Sequence, residues 1–248
     1  GMATAGKHPV VAVYATFLNR AIDQLLMDVA LHRLGVTFVL DRSGITGPDG
    51  ASHHGIWDLA LLQAVPGIHI AAPRDAANLE RALAEALEIN DAPTVIRFPK
   101  GPIPDHAPAV GQLENGSELL RKAEGKAILL IGLGPFAQLA IHVAEELDEH
   151  GASATVVDPR WVTPMPRDLL ELASGYKLVA TIEDGIVSGG VGESYAVQLA
   201  RHGAAAKVIN FGIPTQFVEH AERSELLAEF GLEPKAIAKA ILRRMGSL

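Results

Sequence analysis

The chain has 248 residues, 48% of them apolar and 5% aromatic, and a formal net charge of −8. This length allows one large domain or two ordinary ones with a sizeable core, and the acidic balance, without a basic stripe interleaved with aromatics, excludes a nucleic-acid partner. There are no cysteines, which excludes a disulfide scaffold, a thiolate metal site and a cysteine nucleophile; no apolar run is long enough to span a bilayer and no signal peptide opens the chain, so a cytoplasmic protein with no membrane partner is expected.

In chain order, residues 10–14 read as a short buried strand and 17–32 as a helix. A second strand, 36–40, runs into a polar loop. Residues 57–64 are predicted helical, stopped by Pro66-Gly67, and 68–71 form a third strand. Asp75 is the expected N-cap of an alanine-rich helix reaching residue 89, and 93–98 form a fourth strand. Between 101 and 116 the prolines 102, 104 and 108 cluster with glycines and no hydrophobic period survives, which predicts a linker and a domain boundary near residue 110.

The alternation then restarts. Strands are predicted at 126–131, 153–158, 177–182 and 205–211, and helices at 136–150, 168–173, 192–201, 224–230 and 234–245, with Pro234 in the first turn of the last. The expected fold is therefore α/β, two domains of parallel or mixed sheet, residues 1–108 and 118–248.

The loop from Asp41 to Gly55 is the richest in chemistry. It holds Arg42, Asp49, His53 and His54 just past a buried strand, where α/β proteins keep their sites. Adjacent histidines in an extended segment face opposite ways, so one imidazole acting in proton transfer is expected from His53, and no metal site. Tyr14, Phe17 and Arg20 follow the first strand, with Phe17 read as a pocket wall and Arg20 one turn further on the same face. Arg97 ends the fourth strand and is expected on the same rim as Arg42, where guanidinium forks suit a phosphate or carboxylate. Gly132-Leu133-Gly134-Pro135-Phe136-Ala137, with Asp158 ending the next strand, fits a dinucleotide fingerprint; a glycine turn that lets a helix pack on its strand is the favoured reading. Gly189-Gly190-Val191-Gly192 is read the same way.

Taken together, Tyr14-Ala15-Thr16-Phe17-Leu18-Asn19-Arg20-Ala21, Asp41-Arg42 with Gly44, Asp49-Gly50 with Ser52-His53, and Arg97-Phe98-Pro99-Lys100-Gly101 resemble the 1-deoxy-D-xylulose-5-phosphate synthase family, transketolase-like thiamine diphosphate enzymes. Asp158-Pro159-Arg160-Trp161-Val162 with Pro164, Glu183-Asp184-Gly185 and Gly212-Ile213-Pro214 with Glu219-His220 extend the resemblance over nearly the whole chain. The resemblance implies an incomplete thiamine diphosphate pyrimidine-binding domain followed by a transketolase C-terminal domain. It implies that Phe17 stacks on the cofactor's aminopyrimidine. Tyr14, Arg20, Arg42 and Arg97 would surround the substrates, Arg42 and Arg97 holding a phosphate, and Asp49 and His53 would contact hydroxyl or carbonyl groups and help move protons. The implied chemistry joins pyruvate, with loss of carbon dioxide, to D-glyceraldehyde 3-phosphate.

The family also carries an N-terminal domain for the diphosphate and Mg2+, and a Glu-Gln-His segment that activates the cofactor. The chain matches neither, so a truncated, catalytically incomplete piece is expected, and a homodimer, since an edge of the first sheet and the apolar side of segment 17–31 need covering. Three rivals stay open: one subunit of a two-chain transketolase or keto-acid dehydrogenase, a nicotinamide oxidoreductase built on Gly132 and Gly134, and a non-catalytic partner-binding remnant.

Overall fold

The computed structural model describes residues 1–102, 104 and 106–246. Two mixed sheets form, each flanked by helices, as the alternation predicts. In the first, β1 (Val10–Tyr14), β2 (Val36–Asp41), β3 (His69–Ala71) and β4 (Pro93–Arg97) run parallel in the order β1-β2-β4-β3. All of β4 is buried, which is why it reads as an unbroken apolar run, whereas β1 lies at the edge with Val10 and Val11 exposed.

Helix α1 (Ala15–Leu18) and helix α2 (Ile22–Gln24) replace the single helix predicted for 17–32, and a six-residue π-helical stretch, Leu25–Ala30, follows them. The break has a local cause. Arg20 and Ala21 donate their N–H groups to Phe17 and Leu18 three residues back, so the chain tightens around Asn19 and swings away. Arg20 therefore lies exposed in the turn rather than one helical turn beyond Phe17. Helix α3 (Asp58–Leu62) is shorter than predicted, and α4 (Ala76–Glu88) begins on the expected cap, the Asp75 carboxylate accepting the Asn78 N–H at 2.9 Å.

In the second half the predicted linker is partly strand. A short β5 (Gly111–Gln112) pairs antiparallel with β6 (Glu118–Arg121), an element the sequence reading missed. Ile103 and Asp105, within the same predicted linker, lie outside the described residues, as do Ser247 and Leu248 at the end of the second predicted domain. The six-stranded sheet has the order β11 (Lys207–Ile213), β10 (Leu178–Ile186), β7 (Ile128–Gly132), β8 (Ala154–Asp158), β6, β5. Between β7 and β8, α5 (Phe136–Glu149) buries Phe136, Ala140, Val143 and Leu147, a three-and-four repeat, against the sheet.

The short β9 (Trp161–Thr163) was also missed. It leaves the second half of the chain and joins the first sheet, antiparallel to β3, with Ile70 opposite Thr163. After it come α6 (Arg167–Ser174), β10 (Leu178–Ile186), α7 (Val191–Arg201), β11 (Lys207–Ile213), α8 (Arg223–Glu229) and α9 (Pro234–Met245). Strand β11 starts and ends two residues later than predicted. Helix α9 starts on its proline and ends at Gly246, whose φ of +78° closes the helix in the left-handed region. Among the described residues no helix is long and apolar enough to cross a membrane.

The halves are locked by buried ionic groups beside β9. Arg74 donates to both Glu118 and Asp158, the latter at 2.7 Å. Arg160 reaches back to both oxygens of Glu85 at 2.8 Å, and the Trp161 indole N–H donates to the same carboxylate at 2.6 Å. The Asp-Pro-Arg-Trp motif is thus a joint between the halves, and Asp158 is occupied by Arg74. One hydrophobic core runs through the joint, from Leu40, Leu59 and Ile70 to Leu129, Ile131 and Val162.

Candidate active site

Three adjacent parallel strands, β1, β2 and β4, end on one rim, the position where open α/β sheets bind ligands. Tyr14 ends β1 and is paired in register with Asp41, which ends β2. Arg42 follows, with φ +60°, a left-handed conformation that costs a bulky residue energy and is kept where the surroundings enforce it. Its guanidinium lies over the Tyr14 ring, 3.9 Å from the centroid, and one arm pairs with Asp41. Most of its donors stay available.

Phe17, in α1, stacks on Tyr14 with centroids 5.2 Å apart and planes 14° apart. The His53 imidazole meets the Phe17 ring edge-on at 5.9 Å. Phe17 is 51% exposed, so an apolar ring stands open at the rim beside an imidazole and a guanidinium. Thr16 ties the loop to α1 by donating to the Ser52 carbonyl at 3.0 Å, and the Ser52 hydroxyl lies 2.9 Å from His53 Nδ1.

Asp49 is held by Lys100, whose Nζ donates to both carboxylate oxygens at 2.8 Å. That hydrogen bond, with the nearby charges of Lys100, Arg42 and His53, holds the Asp49 carboxyl below its usual pKa against a smaller burial effect. Asp49 is therefore a carboxylate at neutral pH, an acceptor rather than a proton donor. Arg42 and Lys100 also border a cleft of about 350 Å3 that runs between Phe98, Pro99 and the start of α4.

Arg97 is not on this rim, contrary to the sequence expectation. It is the last residue of a strand buried on both faces, so its side chain meets protein on either side. Nε donates to Asp58 at 2.8 Å, and Nη2 donates to Asp58 at 3.3 Å and to the Asp184 carbonyl at 2.9 Å. Burial works against its charge, but Asp58, Asp184 and Glu183 keep its pKa above the ordinary arginine value. The cation that reaches the rim is Lys100, three residues on and past Pro99, a residue quoted within a motif but given no role. Arg20 is exposed and its side chain makes no hydrogen bond among the described residues.

The two adjacent histidines divide as expected. His54 is buried: its Nδ1 accepts the Thr46 N–H at 3.0 Å and its Nε2 donates to the Glu219 carbonyl at 3.2 Å. These bonds require the neutral Nε2–H form and leave His53 as the imidazole facing the site.

The two glycine turns are packing devices. A Cβ on Gly132 would lie 2.5 Å from Ala137 Cα, so glycine lets α5 start against β7. The same turn is roofed by the first half of the chain, Gly134 lying against Ala72 and the Pro73 carbonyl, where a dinucleotide would need open space. At the second turn Glu183 accepts the N–H groups of Val191 and Gly192 at 3.0 and 2.9 Å, and a Cβ on Gly190 would lie 2.7 Å from the same carboxyl.

Burial pushes Glu183 up from 4.5 to about 7, the two backbone N–H groups opposing this. Between these values the folded chain holds a proton that the unfolded chain has released, so stability falls as pH rises. The expected result is that wild type loses on the order of 1–3 kcal/mol relative to Glu183→Gln between pH 5 and pH 8. Urea midpoints of both proteins at the two pH values check it. Parallel behaviour of the two proteins would refute it.

Residues 1–105 match the family model described as Transketolase, pyrimidine binding domain, and residues 117–237 match Transketolase, C-terminal domain. Among curated proteins, the 1-deoxy-D-xylulose-5-phosphate synthase of Leifsonia xyli subsp. xyli (strain CTCB07) is 54% identical over 99% of this chain, and that of Clavibacter sepedonicus is 52% identical over 99%. The chain spans 38% of the length of each of these relatives. Among solved structures, a split gene transketolase described as an inactive beta4 tetramer superposes with a TM-score of 0.84 at 28% identity, covering 97% of this chain and 77% of that one. The transketolase of Campylobacter jejuni subsp. jejuni NCTC 11168 gives 0.75 at 20% identity, over 95% of this chain and 35% of that one, a likeness of fold. The chain belongs to the transketolase family and carries its pyrimidine-binding and C-terminal domains.

Proposed function

We propose that these residues form the pyrimidine-binding and substrate-holding part of a 1-deoxy-D-xylulose-5-phosphate synthase, which condenses pyruvate with D-glyceraldehyde 3-phosphate. The observation that carries the reading is the rim itself: an open aromatic ring, an imidazole and two cations at the ends of three neighbouring parallel strands. The relatives at 54% and 52% identity support the choice of this enzyme.

The residues present fit the pyrimidine end of thiamine diphosphate. Phe17 offers a ring face already aligned by Tyr14, and the site needs a flat apolar support there. In this reading Mg2+ and the diphosphate would be held by the part of the longer relatives that this chain does not span. The cofactor, when bound, supplies the nucleophilic carbon that adds to the keto acid. Arg42 and Lys100 would hold the phosphate of the aldehyde substrate. Asp49, a carboxylate, would accept a hydrogen bond from a substrate hydroxyl. His53, edge-on to the Phe17 ring, would hold or deliver the proton at the carbonyl oxygen that becomes a hydroxyl. Tyr14 orients Arg42 through its ring, and Arg20 stands at the outer edge.

The proposed domain division is 1–108 and 118–248, with residues 161–163 lent back to the first sheet. The exposed edge strand β1 and the exposed Phe17, Met27 and Leu31 support self-association as a homodimer. The split gene transketolase supports a second reading, in which the two domains act as a separately encoded subunit. One experiment addresses both. The chain is mixed with the N-terminal diphosphate-binding domain of the Leifsonia xyli relative, thiamine diphosphate and Mg2+, and supplied either with pyruvate and D-glyceraldehyde 3-phosphate or with the ketose donor xylulose 5-phosphate and the acceptor ribose 5-phosphate. Carbon dioxide release dependent on glyceraldehyde 3-phosphate is expected. Two-carbon transfer between sugar phosphates without carbon dioxide release favours the transketolase reading, and no turnover on either counts against both.

A further inference from the structure

The loop that carries Arg42, Asp49 and His53 begins on the first sheet but is anchored in the second half of the chain. Ile45 and Ile56 are buried in the hydrophobic cluster of α5, β10 and α9, not in that of β2 and β4. Between them the backbone is gripped by two polar side chains. Asp184 Oδ1 accepts the Ile45 N–H at 3.1 Å, while one arm of Arg223 donates to the Ile45 carbonyl and the other pairs with Asp184 Oδ2. Arg97 fixes the Asp184 backbone from below, donating to its carbonyl at 2.9 Å.

The loop is shaped for this grip. Gly44 has φ +75°, and a Cβ there would lie 2.0 Å from Asp184 Oδ2. Gly47 has φ +80°, and its Cβ position is 3.2 Å from the Arg223 N. His54 leans on the Glu219 carbonyl in the same segment. Arg42 precedes the gripped peptide by three residues and Asp49 follows it by four. Among the described residues the side chains of Arg223 and Asp184 hydrogen-bond only to Ile45 and to each other.

We propose that Arg223 and Asp184 are positioning residues, a clasp by which the second domain sets the loop that presents Arg42, Asp49 and His53 to a phosphorylated substrate. The clasp rests on the geometry above; its use for a phosphorylated substrate rests on the proposed function.

The test uses the 248-residue chain with Arg223→Ala and Arg223→Lys. Amide hydrogen exchange of residues 43–55 is expected to accelerate roughly tenfold or more in Arg223→Ala, the size of losing a charge-assisted hydrogen bond, while β7 and β8 stay protected. Arg223→Lys keeps a charge for Asp184 without the fork and recovers part of the protection. Unchanged exchange, or equal acceleration throughout the second half, overturns the clasp. The second measurement is calorimetric titration with D-glyceraldehyde 3-phosphate. Weaker binding in Arg223→Ala, with no further loss when Arg42→Ala is added, supports positioning through Arg42; fully additive losses overturn it. If the unsubstituted chain does not bind the compound, the substrate reading fails, while the exchange result still decides the clasp.

Discussion

Replacing Arg97 by alanine lowers the unfolding free energy by about 3–5 kcal/mol, the usual result of removing one member of a buried ion pair. Replacing Lys100 by alanine changes it by less than about 1 kcal/mol, because its pair with Asp49 is solvent-facing. The two cations lie three residues apart in one short motif, yet the structure gives them opposite tasks. Arg97 is 3% exposed and Asp58 is 1% exposed. Without the guanidinium, the Asp58 carboxylate loses both of its arginine bonds and the Asp184 carbonyl loses its donor. Asp58 must then either stay charged in a dry site or take up a proton, and both cost stability. Urea unfolding of the two variants at pH 7 measures the contrast. A second comparison separates charge from shape. Arg97→Met with Asp58→Leu removes both charges together and is expected to be less destabilised than Arg97→Ala, since apolar pairs of similar volume replace buried ion pairs at low cost. Equal stability of Arg97→Ala and Lys100→Ala would show that Arg97 is not the buried partner of Asp58.

How far the sequence discloses this molecule depends on the range of the interaction that sets each element. Strands β2, β4, β7, β8 and β10 are buried on both faces, and the long apolar runs that result are readable from local residues alone. Strands β6 and β9 are not. Glu118 opens β6, and its presence in a sheet makes sense only once Arg74, forty-four residues earlier, is seen to neutralise it. Strand β9 has three residues and exists because the other half of the chain offers β3 as a partner. The break after Leu18 was equally hidden, since it is set by the N–H bonds of Arg20 and Ala21 to Phe17 and Leu18, three residues back, which leave no mark in the apolar spacing.

The site divides in the same way. That Tyr14, Phe17, Arg42, Asp49 and His53 gather on one rim was legible because polar and aromatic residues clustered just past apolar strands have few structural uses. Arg97 was misplaced because a cation at the end of an apolar run can point to solvent or into a joint, and its partners, Asp58 and the Asp184 carbonyl, are far away in sequence. The signal that distinguishes it is position. Arg97 is still within the apolar run, while Lys100 follows a proline that cannot continue the strand's hydrogen bonding. Arg223 had no local signature and Asp184 was visible only within the Glu183-Asp184-Gly185 motif, since their grip on Ile45 is made only when the two halves meet.

The largest effect on ligand binding is expected at Arg42 and Lys100. Arg42→Ala weakens D-glyceraldehyde 3-phosphate about 10- to 150-fold, the range for losing a hydrogen bond between charged groups, and weakens pyruvate less than about 3-fold. The asymmetry follows from charge under the proposed function: the aldehyde substrate would bring a doubly charged phosphate that a fork can grip, whereas the keto acid would bring a single carboxylate charge. Equal losses for both substrates would remove the phosphate role from Arg42. Lys100 makes a sharper case, because its removal does two things. The site loses a cation, and Asp49 loses the partner that holds its pKa down and masks its charge. An unmasked carboxylate beside a phosphate repels it. Lys100→Ala should therefore bind the phosphorylated substrate more weakly than Lys100→Ala with Asp49→Asn, in which the repulsion is gone and only the cation is missing. Steady-state KM values in the assembled enzyme, and titration of the chain with inorganic phosphate, read the difference. If the double variant binds the substrate more weakly than the single one, the hydrogen bond proposed between Asp49 and a substrate hydroxyl outweighs the repulsion between Asp49 and the phosphate.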